Sequence, residues 1–494
     1  MRKQRTIYHN DARHYHLWLH DPPIRLKDAQ RPVDDVAGTG VDTFSYCVER
    51  GDGAFYPTKV GLLFGTDKQP FSSSITWHAW EAFRSLSDDG YDPLQILIDR
   101  AHEKGMEFWA DLRLAQYGGM DPKFAIENGG RYFAETGVRE HFSAMSRELV
   151  VDYNSDGLEL DFTIANGTHH SYLRPEDVEQ YTSVITEWVK SVSEMVKRFS
   201  GPQCAIGARV YPLEETNLRQ GLDVREWLAN GILDFVVPMQ YEYNSLDPNM
   251  PFDWLIEAAH LNQASVYGML QPYVPVQEVS LQKDNRHHAP QDMMRATAAS
   301  YWDRGVDGLY TWFMRWPHGS DERTLLTDIS DPDLISEKVK RFFVLRRSQD
   351  PDSASYGAGL PIEIPHADSK PRAVSIYVAD DVRATPGNRV KSVKLIVSTT
   401  NMVGLDGFEV MLNGESVLGE TCTRDFAHNT PHLAPRGLEL TFELKSVVPI
   451  HGWNVVELSL NSRPKGFEGG MIVEGVELLV EYAPYPTSHR VAKE

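Results

Sequence analysis

Residues 155–162 read Ser155-Asp156-Gly157-Leu158-Glu159-Leu160-Asp161-Phe162. In a β-strand, successive side chains point to opposite faces, so Leu158, Leu160 and Phe162 share one face while Glu159 and Asp161 share the other. Burying an acidic pair on one side of an apolar strand is costly. A strand of a closed α/β barrel resolves this. Its apolar side meets the outer helices, and its acids point inward towards the C-terminal mouth, where the active sites of such barrels lie. The alternative is a structural acid paired with an Arg inside the barrel. Asp161, nearer the open end, is the stronger functional candidate of the two.

Working outward from this stretch, short apolar runs alternate with longer stretches of helical periodicity, the pattern of parallel strands joined by helices. Eight strands are predicted: His14–Leu19, Val41–Val48, Met106–Leu112, Gly157–Phe162, Cys204–Val210, Leu233–Pro238, Val266–Tyr273 and Asp307–Met314. Asp92–Lys104 carries Leu94, Leu97, Ile98 and Ala101 at helical spacing, with Gly105 as its stop. Val138–Val151 and Pro175–Arg198 are the helices flanking the acidic strand, and Ala289–Arg304 precedes the last strand. Eight strands, most followed by a helix, predict a (β/α)8 TIM barrel. No helix of ordinary length separates the first predicted strand from the second.

The expected domains are a catalytic barrel over residues 1–345, a linker over 346–371 and an all-β sandwich over 372–494. The linker is read from Gln349-Asp350-Pro351-Asp352-Ser353-Ala354-Ser355 and the Gly, Pro and Asp residues after it. Beyond it, Ala373–Val378, Ser392–Ser398, Gly407–Leu412, Leu438–Leu444, Asn454–Leu460 and Met471–Tyr482 are short strands with turn signals between them, which suggests an accessory β-sandwich. No internal repeat or low-complexity tract stands out.

The chain has 494 residues, too many for one ordinary core, and its 41% hydrophobic and 24% charged content is that of a globular protein. A formal net charge of -21 argues against nucleic acid and anionic membranes as partners. No segment reads as membrane-spanning, and no apolar run follows the basic Met1-Arg2-Lys3-Gln4-Arg5, so the expectation is a soluble cytoplasmic protein. Cys47 and Cys204 fall in predicted strands as small buried hydrophobes, and neither they nor Cys422 form a zinc motif. No phosphate-cradling glycine loop or GxSxG elbow occurs, so no cofactor is expected. His14, His16 and His20 alternate with Trp18 on the first predicted strand, a weak pattern for a metal, and no metal site is assigned.

If the barrel holds, its strand ends converge. The third strand contributes Trp109, Asp111 and Arg113, the fourth Glu159 and Asp161, and the fifth Arg209 and Tyr211, with Glu214 and Glu215 in the loop beyond. The sixth ends in Gln240, Tyr241, Glu242 and Tyr243, the seventh in Gln271 and Tyr273, and the eighth in Tyr310, Trp312 and Arg315. Carboxylates, amides, an arginine and indoles at one mouth suit a sugar, since acids supply chemistry, amides and Arg bind hydroxyls, and indoles stack on pyranose faces. Glycosidic cleavage needs one ionised and one protonated carboxyl. Asp161 is the candidate for the ionised one, as nucleophile or stabiliser, with Arg209 as its charge partner. Glu242 is the candidate general acid, because Tyr241 and Tyr243 would give it apolar surroundings. Glu159, Asp111, Arg113, Arg209, Gln240, Tyr241, Gln271, Trp312 and Arg315 are the expected substrate-binding residues. Glu214 and Glu215 read rather as solvated, Asp111 with Arg113 as a possible rim ion pair, and Trp312 equally as core or as a stacking platform.

Four stretches carry a family resemblance: Arg31-Pro32-Val33-Asp34-Asp35-Val36-Ala37-Gly38-Thr39-Gly40-Val41-Asp42-Thr43, Ala101-His102-Glu103-Lys104-Gly105-Met106-Glu107, Asp156 to Phe162, and Gly231-Ile232-Leu233-Asp234-Phe235-Val236-Val237-Pro238-Met239. They resemble the family-10-like glycosyl hydrolases over roughly residues 12–345. The resemblance implies a TIM barrel and carbohydrate hydrolysis, with Asp161 on the acid expected after the Asp-Gly pair. Thr163-Ile164-Ala165-Asn166-Gly167 stands where that family carries a basic residue and a tyrosine. The expected function is therefore hydrolysis of an oligo- or polysaccharide, as in polysaccharide degradation. The rival readings are a polysaccharide lyase using Tyr241 or a His as base, and a non-catalytic glycan-binding barrel.

Overall fold

The computed structural model describes residues 4–11, 20–50, 53–115, 120–163, 169–240, 245–275, 286–312, 314–315, 317–346, 359–365, 370–385, 389–427 and 437–483. Eight parallel strands close into a barrel: β1 Arg5–Asp11, β2 Thr43–Cys47, β3 Glu107–Arg113, β4 Gly157–Asp161, β5 Ala205–Val210, β6 Phe235–Pro238, β7 Ser265–Leu270 and β8 Gly308–Trp312. Each pairs with its sequence neighbour, and β1 pairs with β8 from Arg5 opposite Gly308 to His9 opposite Trp312. The predicted TIM barrel is therefore present, and seven of its strands lie where the sequence puts them.

The first strand does not. It runs over Arg5–Asp11, one segment earlier than expected, and residues 12–19 of the expected strand lie outside the described residues. The helix Leu26–Asp34 then occupies the connection to β2 that had looked too short for one. Arg5 is in fact buried, with its guanidinium over the Trp109 ring and paired with Glu107 at the base of the barrel.

Local signals explain the helices around the acidic strand. Asp92 caps Pro93–Glu103 by accepting from the amides of Leu94 and Gln95, proline occupies the first turn, and Gly105 ends it at φ +75°. The helix Thr136–Arg147 passes into a wider π-type turn, Glu148–Asp152, that leads into β4. After β4, Val178–Ser200 buries Ile185, Trp188, Val189, Val192 and Val196.

A fourfold pattern at the N-terminal ends of the strands had escaped the sequence reading. An Asp stands immediately before each even-numbered strand and accepts from the amide of the second residue of the preceding odd-numbered one. Asp42 accepts from Thr6 at 3.1 Å, Asp156 from Phe108 at 2.8 Å, Asp234 from Ile206 at 2.8 Å and Asp307 from Val266 at 2.9 Å. Each also faces a base: Arg5, His102, Lys197 and His260 respectively. The barrel is thus clamped as four strand pairs at the end opposite its mouth.

The chain separates into two compact units. One comprises residues 1–244, 251–271 and 305–330, and the other residues 245–250, 272–304 and 331–494. The second unit therefore includes the helix Gln291–Asp303, which precedes β8 in sequence, as well as residues the sequence assigned to barrel and linker. Beyond the paired short strands Tyr273–Pro275 and Arg286–His288, its strands from residue 340 onward are β9 Lys340–Phe343, β10 Ile362–Ile364, β11 Arg372–Val378, β12 Val390–Thr400, β13 Gly407–Leu412, β14 Glu415–Ser416, β15 Thr421–Ala427, β16 Gly437–Glu443, β17 Gly452–Ser462 and β18 Met471–Tyr482. They form two antiparallel sheets, β9-β18-β12-β16-β15, with β10 also on β18, and β11-β17-β13-β14. Their inward residues, among them Val374, Ile376, Val397, Leu412, Leu458 and Leu478, make one core. The expected sandwich is present, and it begins earlier than residue 372. Both β9, just before the expected linker, and β10, inside it, hydrogen-bond to β18.

Candidate active site

Two glycines set the floor of the barrel. A Cβ on Gly157 would lie 2.6 Å from the Trp109 ring, and one on Gly207 would lie 2.4 Å from the Phe235 ring. Their absence lets Trp109 and Phe235 stack at 4.3 Å between centroids, with Tyr267 beside them. Gly157 is thus required for packing in the strand rather than for a turn at its start.

Above this floor the interior is divided. The side formed by β6 to β8 is apolar and aromatic, with Val237, Met239, Met269, Tyr310 and Trp312. The side formed by β1 to β5 carries His9, Asp11, Ser45, Asp111, Arg113, Glu159, Asp161 and Arg209, all buried. Strand register puts Asp111 opposite Glu159 and sets Arg113, Asp161 and Arg209 abreast on β3, β4 and β5.

Arg209 is the hub. Its Nε donates to Glu159 Oε1 at 2.7 Å, its Nη1 to Asp161 Oδ2 at 3.2 Å and its Nη2 to the Tyr310 hydroxyl at 2.7 Å. The guanidinium lies 5.1 Å from the ring centroids of both Tyr310 and Trp312. Burial opposes its charge, yet Asp161 and Glu159 outweigh burial and hold its proton more tightly than in water.

The three carboxyls around it differ. Glu159 is fully bonded, accepting from Arg209, from Tyr310 at 2.8 Å and from Ser45 at 3.2 Å. Burial nevertheless raises its proton affinity, opposed by Arg209. Asp161 accepts from the Thr163 amide at 2.8 Å and hydroxyl at 2.9 Å on one oxygen, and from Arg209 on the other, with Arg113 Nε 3.8 Å away. Asp111 is completely buried, and neither of its oxygens has a hydrogen-bond partner among the described residues. Its nearest basic neighbours, Arg209 Nη2 and His9 Nε2, each stand 3.7 Å from Oδ2. Burial, reinforced by Glu159 and Asp161 and opposed by Arg209, pushes its carboxyl well above the ordinary aspartate range.

The structure therefore gathers Asp111, Arg113, Glu159, Asp161, Arg209 and Trp312 into one cluster. Trp312 is packed at 1% exposure, edge-on to His9 and beneath the guanidinium of Arg113 as well as Arg209, and so is core rather than an open platform. Asp111 and Arg113 form no rim pair with each other; Arg113 instead meets Asp11 at 3.3 Å and Asp161. Gln271 is buried and donates to the Gln240 carbonyl at 2.9 Å, while its own amide oxygen has no hydrogen-bond partner among the described residues. Arg315 is exposed beyond the end of β8. Tyr241 and Glu242 lie outside the described residues, as do His14, His16 and Trp18. Glu214 opens a short helix and pairs with Arg225 at the surface, in keeping with a solvated group. Among the described residues, no group of three or more His, Cys, Asp or Glu could hold a metal ion, and no helix is long and apolar enough to cross a membrane.

Sequence reasoning missed His9, Asp11 and Ser45. His9 accepts or donates at Nδ1 with Ser45 Oγ at 3.1 Å and the Tyr310 hydroxyl at 2.9 Å, so it belongs to the hub. The alternation Ile7, His9, Asp11 was available as a signal, but placing the first strand one segment late hid it.

No family model matches the chain, and no curated protein matches it. Among solved structures, the chain is similar to a bacterial fucosidase bound to a pyrrolidine-based inhibitor, with 13% identity and a TM-score of 0.40 over 94% of this chain and 93% of that one. A chitinase from Bacteroides thetaiotaomicron matches at 10% identity and a TM-score of 0.41, over 67% of this chain and 97% of that one. A cycloisomaltooligosaccharide glucanotransferase from Paenibacillus sp. matches at 11% identity and a TM-score of 0.36. That match covers 96% of this chain, which spans 57% of the length of the glucanotransferase.

Proposed function

We propose that the barrel is a glycoside hydrolase that cleaves a glycosidic bond in an oligo- or polysaccharide by two-carboxyl chemistry. The observation that carries this reading is the unequal treatment of the carboxyls around Arg209. Asp161 is hydrogen-bonded and charge-compensated near the C-terminal end of its strand, while Asp111 is buried with no hydrogen-bond partner among the described residues. Groups held in such different environments can divide the roles of ionised and protonated carboxyl that glycoside cleavage requires. The division of the interior into an acidic and an aromatic side also suits a pyranose, which presents hydroxyls at its edge and C–H groups on its faces. The motif resemblance to family-10-like glycosyl hydrolases points the same way.

In this reading the Asp161 carboxylate faces the anomeric carbon, where positive charge develops as the bond breaks, and Arg209 and Thr163 hold it in place. A proton-bearing carboxyl delivers a proton to the leaving oxygen, the position for which the sequence nominates Glu242. Glu159, saturated by Arg209, Tyr310 and Ser45, orients Arg209 rather than reacting.

The test is turnover of a panel of aryl glycosides and natural oligosaccharides by the purified protein, with Asp161→Asn beside it. Turnover that falls more than about a thousandfold in the variant is expected. Near-wild-type kcat in the variant would remove Asp161 from the mechanism. Products with the ultraviolet absorbance of a new C=C bond would identify a lyase instead, and glycan binding with no turnover would identify a non-catalytic barrel.

A further inference from the structure

We infer that Asp111 is the carboxyl that carries the transferable proton of this site, donating it to the glycosidic oxygen. The inference rests on the glycosidase reading above and deepens it, giving the role of general acid to β3. The sequence assigned Asp111 only to substrate binding.

The donors around Asp111 are already taken by other groups. Arg209 points its nitrogens at Glu159, Asp161 and the Tyr310 hydroxyl, each within 3.2 Å. Asp111 reaches the same guanidinium only at 3.7 Å, beyond hydrogen-bond length. Arg113, on its own strand, turns to Asp11 and Asp161. Among the described residues, the titratable groups acting on Asp111 include His9 on β1, Arg113 on β3, Glu159 and Asp161 on β4, Arg209 on β5 and Tyr310 on β8. Four carboxyls, those of Asp11, Asp111, Glu159 and Asp161, share two guanidiniums. The one without a hydrogen bond is where a proton most cheaply relieves the excess negative charge. A neutral carboxyl also costs less than a carboxylate where neither buried oxygen has a hydrogen-bond partner.

In the step proposed, the Asp111 proton moves to the glycosidic oxygen as the bond from that oxygen to the anomeric carbon breaks. The alcohol leaves neutral, and the charge developing at carbon faces Asp161. Water then adds at that carbon and returns a proton to the Asp111 carboxylate, restoring the starting state.

The experiment compares wild type, Asp111→Asn and Glu242→Gln on a series of glycosides whose leaving groups range from alkyl alcohols to acidic phenols. Asn matches Asp111 in size and in being neutral, but it has no proton to transfer. The expected result for Asp111→Asn is a loss of about 10²–10⁴-fold in kcat for alkyl leaving groups, much of it recovered with acidic phenols that depart without protonation. The alkaline limb of the pH–kcat profile should vanish with it, because a general acid acts only while protonated and is lost as pH rises through its pKa. Glu242→Gln showing this leaving-group signature while Asp111→Asn does not would overturn the inference. The infrared band of a protonated carboxyl, present in wild type at neutral pH and absent in Asp111→Asn, reads the proton without any substrate. Absence of that band in wild type would overturn the inference even if the protein proves to be a glycosidase. The band present with no glycoside turned over would refute the glycosidase reading, and leave Asp111 a neutral buried acid with no donor role.

Discussion

Replacing Arg209 by Met should destabilise the barrel by an amount that depends steeply on pH. Met fills much of the same space without charge, leaving Glu159, Asp161 and Asp111 buried with no guanidinium at the hub. A stranded carboxylate escapes by taking up a proton, so the penalty is bounded by the work of protonation. Glu159 ordinarily ionises near 4.5. Holding it neutral in the folded state therefore costs about 3.4 kcal/mol at pH 7 and under about 1 kcal/mol at pH 5, at roughly 1.36 kcal/mol per pH unit. The former figure agrees with the roughly 3–5 kcal/mol seen when one partner of a buried ion pair is removed. The sign follows from linkage. A carboxyl whose proton affinity is raised by folding contributes its full stability below its unfolded pKa, and that contribution is lost as pH rises through the folded value. Arg209 opposes this rise in Glu159 and Asp111, so its removal widens the window. The assay is urea unfolding of wild type, Arg209→Met, Glu159→Gln and the double variant at pH 5 and 7. The single Arg209 variant should lose about 2.5 kcal/mol more at pH 7 than at pH 5, and Glu159→Gln in the same chain should recover most of that difference. An equal loss at both pH values, or no recovery in the double variant, would refute the picture of carboxylates held charged by one guanidinium.

Two further outcomes are expected away from the mouth. Gly157→Ala should cost about 1–3 kcal/mol through overpacking, because its Cβ would press on the Trp109 ring at 2.6 Å; unchanged denaturant stability would mean the indole moves freely. Asp156→Ala removes the acceptor of the Phe108 amide and of His102, and should cost about 1.5–3 kcal/mol. Its kcat should equal that of wild type, since the clamp lies at the end of the barrel opposite the site, and a large fall in kcat would show coupling between the two ends.

The chain's local patterns determined a good deal. Alternation in Leu158-Glu159-Leu160-Asp161 was enough to predict an inward acidic pair, and the spacing of Leu94, Leu97, Ile98 and Ala101 marked a helix that the structure contains. Both signals are periodic, and periodicity belongs to one element at a time. What the sequence could not determine was partnership. Glu159 and Asp161 look equivalent in one strand, and only the closed barrel assigns Glu159 to Arg209, Tyr310 and Ser45 and Asp161 to Thr163 and Arg209. Asp111 read as a binding residue or half of a rim pair, because its lack of a hydrogen bond is a property of where every neighbouring donor points. The same holds for Arg5, which in the sequence is only part of a basic N-terminus and in the fold is received by Glu107 and the Trp109 ring, more than a hundred residues away. Sequence specifies which groups face inward; which of them remain charged is set by three-dimensional competition for a few buried donors.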